Sequence, residues 1–237
     1  MRGSRLLVFG ASGAIGRAVT AHALGEGWSV TGVTRGAAPG GPPDGTAWIA
    51  WDPVHGDAET ALAGQAPFDA ICWAQGANTN DSIGDFEAAR HRAIYEANVL
   101  SVLCSADALV TRGLLAAGGA RLVVVSSIWQ ERARSGKLSY TVTKAAIGGL
   151  VRSASVDLGR SGHLINAVLP GVLDTPMARA NLSADQIAAV AAATTHGRLP
   201  DLDTVAQTVL FLCSRANRAI TGQSVTIDLG MSNARLL

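Results

Sequence analysis

Seven short runs of β-branched and apolar residues recur along the chain: Arg5–Phe9, Ser29–Thr34, Ala47–Ala50, Ala70–Trp73, Arg121–Val125, Leu164–Leu169 and Ser224–Asp228. Each has the length and composition of a strand buried on both faces. Between most of them lie segments of helical period, at Ile15–Glu26, Gly56–Gly64, Asp85–Ala117, Tyr140–Gly159 and Asp203–Ser214, with a shorter one near Ala184–Thr194. A strand followed by a helix-length crossover pairs in parallel with the next strand, since an antiparallel partner would need only a tight turn. The expectation is therefore an α/β fold: a doubly wound, seven-stranded parallel sheet forming a single domain over residues 1–237. The Gly- and Pro-rich stretch Gly36–Gly45 follows only two strands, too little for a separate domain, and reads as a surface loop.

Composition narrows the functional classes. Of 237 residues, 48% are apolar and 16% charged, which excludes a disordered chain. A net charge of +1 without a basic run argues against nucleic acid as a partner. The longest apolar stretches, such as Leu122–Val125 and Ala188–Ala193, fall far short of the ~20 residues that span a bilayer, and Met1–Gly10 lacks the apolar core of a signal peptide. No membrane association and a cytoplasmic location are expected. Cys72, Cys104 and Cys213 stand in apolar contexts and read as reduced core residues. His22, His55, His91, His163 and His196 lack ligand spacing, so no metal is assigned.

After the first strand comes Gly10-Ala11-Ser12-Gly13-Ala14-Ile15-Gly16 and then a helix. Glycines there tighten the turn and let the backbone approach a pyrophosphate, while the helix N-terminus supplies free N–H groups and a favourable dipole. The plainer alternative is close strand–helix packing. Position directly after the first strand of an alternating chain favours a dinucleotide site. The second strand ends in Arg35, and no carboxylate occurs between Ser29 and Pro43. An acid there would hold the ribose 2′-hydroxyl of NAD, whereas an arginine accommodates a 2′-phosphate. NADP(H) is expected over NAD(H), although a solvated Arg35 remains the bland reading.

Of 19 Lys and Arg residues only Lys137 and Lys144 are lysine, and the two tyrosines are Tyr95 and Tyr140. Tyr140 and Lys144 fall four apart at the start of a helix, which puts both side chains on one face. An ammonium beside a phenol favours the phenolate, and a tuned phenol can protonate a developing alkoxide.

Gly10–Gly16, Asn98, Ser127, Tyr140-Thr-Val-Thr-Lys144 and Pro170-Gly171-Val172-Leu173-Asp174-Thr175 together resemble the short-chain dehydrogenase/reductase family, along essentially the whole chain. The resemblance, which extends to 3-oxoacyl-carrier-protein reductase-like members, implies a Rossmann fold. It implies Tyr140 as general acid in carbonyl reduction and Lys144 as the group that lowers its pKa and bonds the nicotinamide ribose. Ser127 would hold the substrate oxygen, and Asn98 would position a water in a proton relay behind Lys144. The cofactor would be held by Gly10, Ser12, Gly13, Ala14, Ile15 and Gly16, by Arg35 and Gly76, and by Pro170, Gly171 and Val172. Asp52 would contact adenine and Thr175 the carboxamide. Residue by residue there are plainer readings: a strand-end Ser127 capping a turn, or a mid-helix polar Asn98. Asp157 reads as an exposed helical carboxylate.

The chain departs from the family pattern at Phe9, at Ala14, at Trp73-Ala74-Gln75-Gly76 and at Leu229. Phe9 and Trp73 end adjacent central strands, so their side chains are expected to pack together in place of a polar contact. The function expected is NADPH-dependent reduction of a ketone or 3-oxoacyl carbonyl to a secondary alcohol. Alternatives are an NAD-linked secondary-alcohol dehydrogenase and a catalytically idle NADP(H)-binding sensor or scaffold. Residues 173–199 would close over a small-molecule substrate. Trp129, Gln130 and Met177 would line its pocket, favouring a hydrophobic or cyclic compound. A homotetramer or homodimer would form through the helices Asp85–Ala117 and Tyr140–Gly159.

Overall fold

The computed structural model describes residues 3–36 and 45–233; most of the Gly/Pro-rich loop, residues 37–44, lies outside the described residues. Seven parallel strands form one sheet: β1 (Arg5–Phe9), β2 (Ser29–Thr34), β3 (Ala47–Ala50), β4 (Ala70–Trp73), β5 (Arg121–Val125), β6 (Leu164–Pro170) and β7 (Ser224–Ile227), in the order β3-β2-β1-β4-β5-β6-β7. Alternate residues of β1 serve opposite cores. Leu7 and Phe9 join Val102, Leu109, Ile147 and Val151 on one face, and Leu6 and Val8 join Val19, Ala23, Val205 and Val209 on the other. Burial on both faces is why these strands read as unbroken apolar runs.

The first face carries α2 (Ala58–Leu62), α3 (Ala88–Tyr95), α4 (Ser101–Thr111) and α5 (Leu138–Gly159); the second carries α1 (Ala14–Gly25) and α8 (Leu202–Cys213). Helices α6 (Pro176–Asn181) and α7 (Ala184–Ala192) follow β6. The sequence pattern does not anticipate α6, although Thr175 caps it through Ala178 N–H and Pro176 opens it. The long helix expected from Asp85 to Ala117 is shorter, and a π-helical turn at Glu96–Leu100 separates α3 from α4. Ala88–Thr111 is long and apolar enough, by length and composition, to cross a membrane. The sequence reading, which looked for unbroken apolar runs, did not pick it out. In the fold its inner side, with Ile94, Val99, Val102 and Leu109, is buried.

The winding reverses between β1 and β4, which leaves a crevice beyond the carboxyl ends of the central strands. At its floor the Phe9 and Trp73 rings stack with centroids 5.8 Å apart and planes 14° apart, as the departures in sequence suggested. Trp51 tilts against Phe9, and the indole Nε1 of Trp73 donates to Ser105 Oγ at 2.7 Å. Leu229, one of the departures noted in the sequence, keeps a left-handed backbone with φ of 51°.

Candidate active site

A cleft of about 560 Å³ lies over this crevice, with walls from the ends of β1, β2, β4 and β5. Gly10 turns the chain at φ of 71°, and a Cβ there would come within 2.6 Å of the Gln75 backbone. Gly13 N–H bonds to Gly10 O and Gly13 begins α1, whose end no side chain caps. The first-turn N–H groups have no carbonyl behind them and open on the cleft, where Gly10, Ser12, Gly13, Ala14 and Ile15 all contribute. Gly16 does not line it: its Cα packs so tightly on Gly10 O that a Cβ would come within 2.2 Å, so its role is helix–strand packing. Exposed Arg35 forms the rim at the end of β2. Asp52 lies opposite, its Oδ1 accepting from Val54 N–H at 3.0 Å and fixing the loop after β3. Ser126 Oγ is buried on the cleft wall without a hydrogen-bond partner. An uncapped helix end, an orphaned hydroxyl and Gly10, which has no room for a side chain, fit a dinucleotide.

Deeper in, four side chains converge. Tyr140 and Lys144 project from the first turns of α5, and Lys144 Nζ lies 5.6 Å from the Tyr140 ring centre and donates to Val125 O at 3.3 Å. Ser127 follows β5, its Oγ accepting from Trp129 N–H at 3.3 Å, and acts on the Tyr140 phenol. Asn98 sits in the π turn; its Oδ1 accepts from Ala77 N–H at 2.7 Å and its Nδ2 donates to Ala77 O and to Thr143 Oγ1, each at 3.0 Å. It thereby clamps the Gly76-Ala77 segment beside Lys144, since a Cβ on Gly76 would stand 3.3 Å from Asn98 Oδ1 and 3.7 Å from Lys144 Nζ. Burial pushes the Tyr140 phenol up to about 12, with the Ser127 hydrogen bond pulling the other way. Burial brings Lys144 down to about 8. Burial outweighs the Ser127 contribution, and Tyr140 stands protonated at neutral pH.

A second cleft of about 150 Å³ adjoins the first. Ser127, Trp129, Pro170, Gly171 and Val172 line it, while Ile15, Ser126, Tyr140, Thr175 and Met177 line both clefts. Gln130 does not reach either: its Nε2 donates to Ser224 Oγ at 2.8 Å and packs under Gly148 of α5, because the short 3-10 turn Ile128–Gln130 points it back towards the sheet. Pro170, Gly171 and Val172, expected at the cofactor, border the smaller cleft instead of the larger one, because β6 ends on that side of Tyr140.

The family model described as enoyl-(acyl carrier protein) reductase matches residues 58–232. The cis-4-hydroxycyclohexanecarboxylate dehydrogenase of Sinomonas cyclohexanicum is 34% identical over 190 residues, covering 77% of this chain and 75% of that protein. The chain belongs to the short-chain dehydrogenase/reductase family. Its relatives include dehydrogenases and reductases that act on CH–OH and C=O groups. The 3-oxoacyl-(acyl-carrier-protein) reductase of Escherichia coli is 32% identical over 138 residues, which span 58% of this chain and 56% of the relative. Bovine L-xylulose reductase is 29% identical over 97% of both chains. Among solved structures, a gluconate 5-dehydrogenase from Burkholderia cenocepacia in complex with NADP and tartrate superposes with a TM-score of 0.89 at 23% identity, over 99% of this chain and 97% of that one, and shares the fold.

In this dehydrogenase/reductase the sequence reading missed Ser126, Arg134, Lys137, Asn78 and Asn181, which all line a cleft. Lys137 carried a signal, being one of two lysines and three residues before Tyr140. Asn78 and Asn181 carried none, because their placement depends on loops and on α6.

Proposed function

We propose that this short-chain dehydrogenase/reductase is an NADPH-dependent carbonyl reductase, acting reversibly on a ketone and its secondary alcohol. The observation that carries the reading is the position of Tyr140 between the two clefts, with Lys144 on the dinucleotide side and Ser127 on the other. NADPH, when bound, supplies a hydride to the carbonyl carbon. Arg35 at the rim would favour a 2′-phosphate, Asp52 would contact adenine, Thr175 would hold the carboxamide, and the uncapped start of α1 would take the pyrophosphate.

The remaining work falls to side chains. Ser127 donates a hydrogen bond to the carbonyl oxygen and aligns it with the phenol. Tyr140, held protonated by burial, donates its Oη proton to that oxygen as charge develops there. Lys144, drawn close beside the ring, stabilises the resulting phenolate, and solvent returns the proton. Asn98 holds the Gly76-Ala77 backbone where Lys144 needs room. In the reverse direction the same groups remove a proton from an alcohol. The cis-4-hydroxycyclohexanecarboxylate dehydrogenase among the relatives, named for a ring-borne hydroxyl, supports a small cyclic secondary alcohol or ketone. Exposed Leu100, Leu103 and Val110 along the π turn and α4, with Val142 and Val156 on α5, support self-association as a dimer or tetramer.

The test is oxidation of NADPH and of NADH over a panel of aliphatic, aryl and cyclic ketones. Catalytic efficiency is expected to be higher with NADPH, and Arg35→Asp is expected to shift the ratio about tenfold or more towards NADH, the worth of one charge-assisted contact. An unchanged ratio would remove Arg35 from cofactor selection.

A further inference from the structure

The smaller cleft brings two cations, Arg134 and Lys137, to the wall that faces Tyr140 and Ser127, and no carboxylate is among the described residues lining it. Lys137 is 6% exposed. Its ammonium donates to Asn78 Oδ1 at 2.8 Å, Asn80 Oδ1 at 2.5 Å and Thr79 O at 3.4 Å. These neutral oxygens satisfy its hydrogen bonds without an ion pair. Asp81, the acid whose field reaches it, is already engaged by the backbone and hydroxyl of Ser139. Burial and then the like charge of Arg134 hold Lys137 below the ordinary lysine range, with Asp81 offsetting part of that. Arg134 makes no hydrogen bond or ion pair with the other described residues.

Two cations without an ion-pair partner, one buried and one half-buried, cost folding free energy that a neutral substrate would not return. We propose that the substrate carries a carboxylate, paired with the Arg134 guanidinium under the field of Lys137, while its carbonyl oxygen lies at Tyr140 and Ser127. The inference rests on the reductase reading above and gives it a substrate class: small oxo acids and their hydroxy-acid products. Arg134 suits the task because its planar fork can hold both carboxylate oxygens, whereas the donors of Lys137 are committed and it contributes charge alone. Lys137 Nζ lies 5.8 Å from the Tyr140 ring centre, so its charge acts in the same small cleft as the phenol. The apolar substrate expected from Trp129 and Met177 is correspondingly narrowed to one with an apolar body and an anionic end.

Two measurements test this. Calorimetry compares cyclohexanecarboxylate with cyclohexanecarboxamide, and initial rates compare 4-oxocyclohexanecarboxylate with its methyl ester. The carboxylate is expected to bind about tenfold or more tightly than the amide, and the acid to exceed the ester by a similar factor in kcat/KM, with both ratios falling as salt rises. Arg134→Gln is expected to bring both ratios within about twofold of one, and Arg134→Lys to retain part of each. Equal binding of acid and amide, or ratios that Arg134→Gln leaves intact, would overturn the proposal. Reduction of the ester but no preference for the acid would overturn the anion site and leave the reductase reading standing. Preferential carboxylate binding without reduction of either ketone would do the reverse.

Discussion

Lys144 and Tyr140 are displaced in opposite directions by the same burial, and pH separates their contributions. With Lys144 at about 8, its ammonium is lost as pH rises through that value, whereas Tyr140 keeps its proton to about 12. The kcat/KM for ketone reduction is therefore expected to fall above about pH 8, with no second limb from the phenol below pH 10; a profile flat to pH 10 would contradict this. Stability carries the complementary sign. Lys144 has a folded value near 8 against 10.5 for the free side chain, so the unfolded chain binds more protons between those values. Its burial penalty is fully present below pH 8 and is relieved as pH rises towards 10, above which Tyr140 acts oppositely. A thermal midpoint that gains on this interval in the native protein and gains less in Lys144→Met is the expected result. At this scale the Tyr140–Lys144 pair was legible from spacing alone, because four residues on a helix is one face. The direction of the phenol shift was not, since it depends on how much protein closes over the ring.

Asn98 shows what an element does with a residue that disfavours helix interiors. The π turn at Glu96–Leu100 adds a residue to the helical repeat, and Asn98 within it reaches Ala77 and Thr143. Asn98→Ala is expected to leave the Ala77 N–H and O unpaired and cost about 1–3 kcal/mol in denaturant unfolding, together with a lower kcat for ketone reduction; a stability loss with kcat intact would confine Asn98 to a structural role. The apolar stripe runs on through Val99 and Val102, so nothing in the pattern marks the extra residue except an odd asparagine. Strands were legible almost to the residue, because β1, β4 and β5 are buried on both faces, and β1 and β5 give way at once to Gly10 and Ser126. Helix α6 was not, although Thr175-Pro176 is a cap followed by a first-turn proline, because six residues are too few to show a period.

At the scale of the molecule, the winding order puts every loop that bears a site residue at one end of the sheet, so fold class and site location were legible together. Assembly is a matter of the outer faces. Leu103 on α4 is 45% exposed and Val156 on α5 is 76% exposed. The native protein is expected to sediment as a dimer or tetramer, and Leu103→Glu combined with Val156→Glu as a smaller species; a native monomer would contradict the assembly reading. In the proposed NADPH-dependent carbonyl reduction Tyr140 transfers the proton. The decisive measurement is the rate of NADPH oxidation with the best ketone of the panel, in native protein and in Tyr140→Phe. A loss of about 10²–10⁴-fold in kcat is expected for the phenylalanine variant. Turnover within a few fold of native would contradict it.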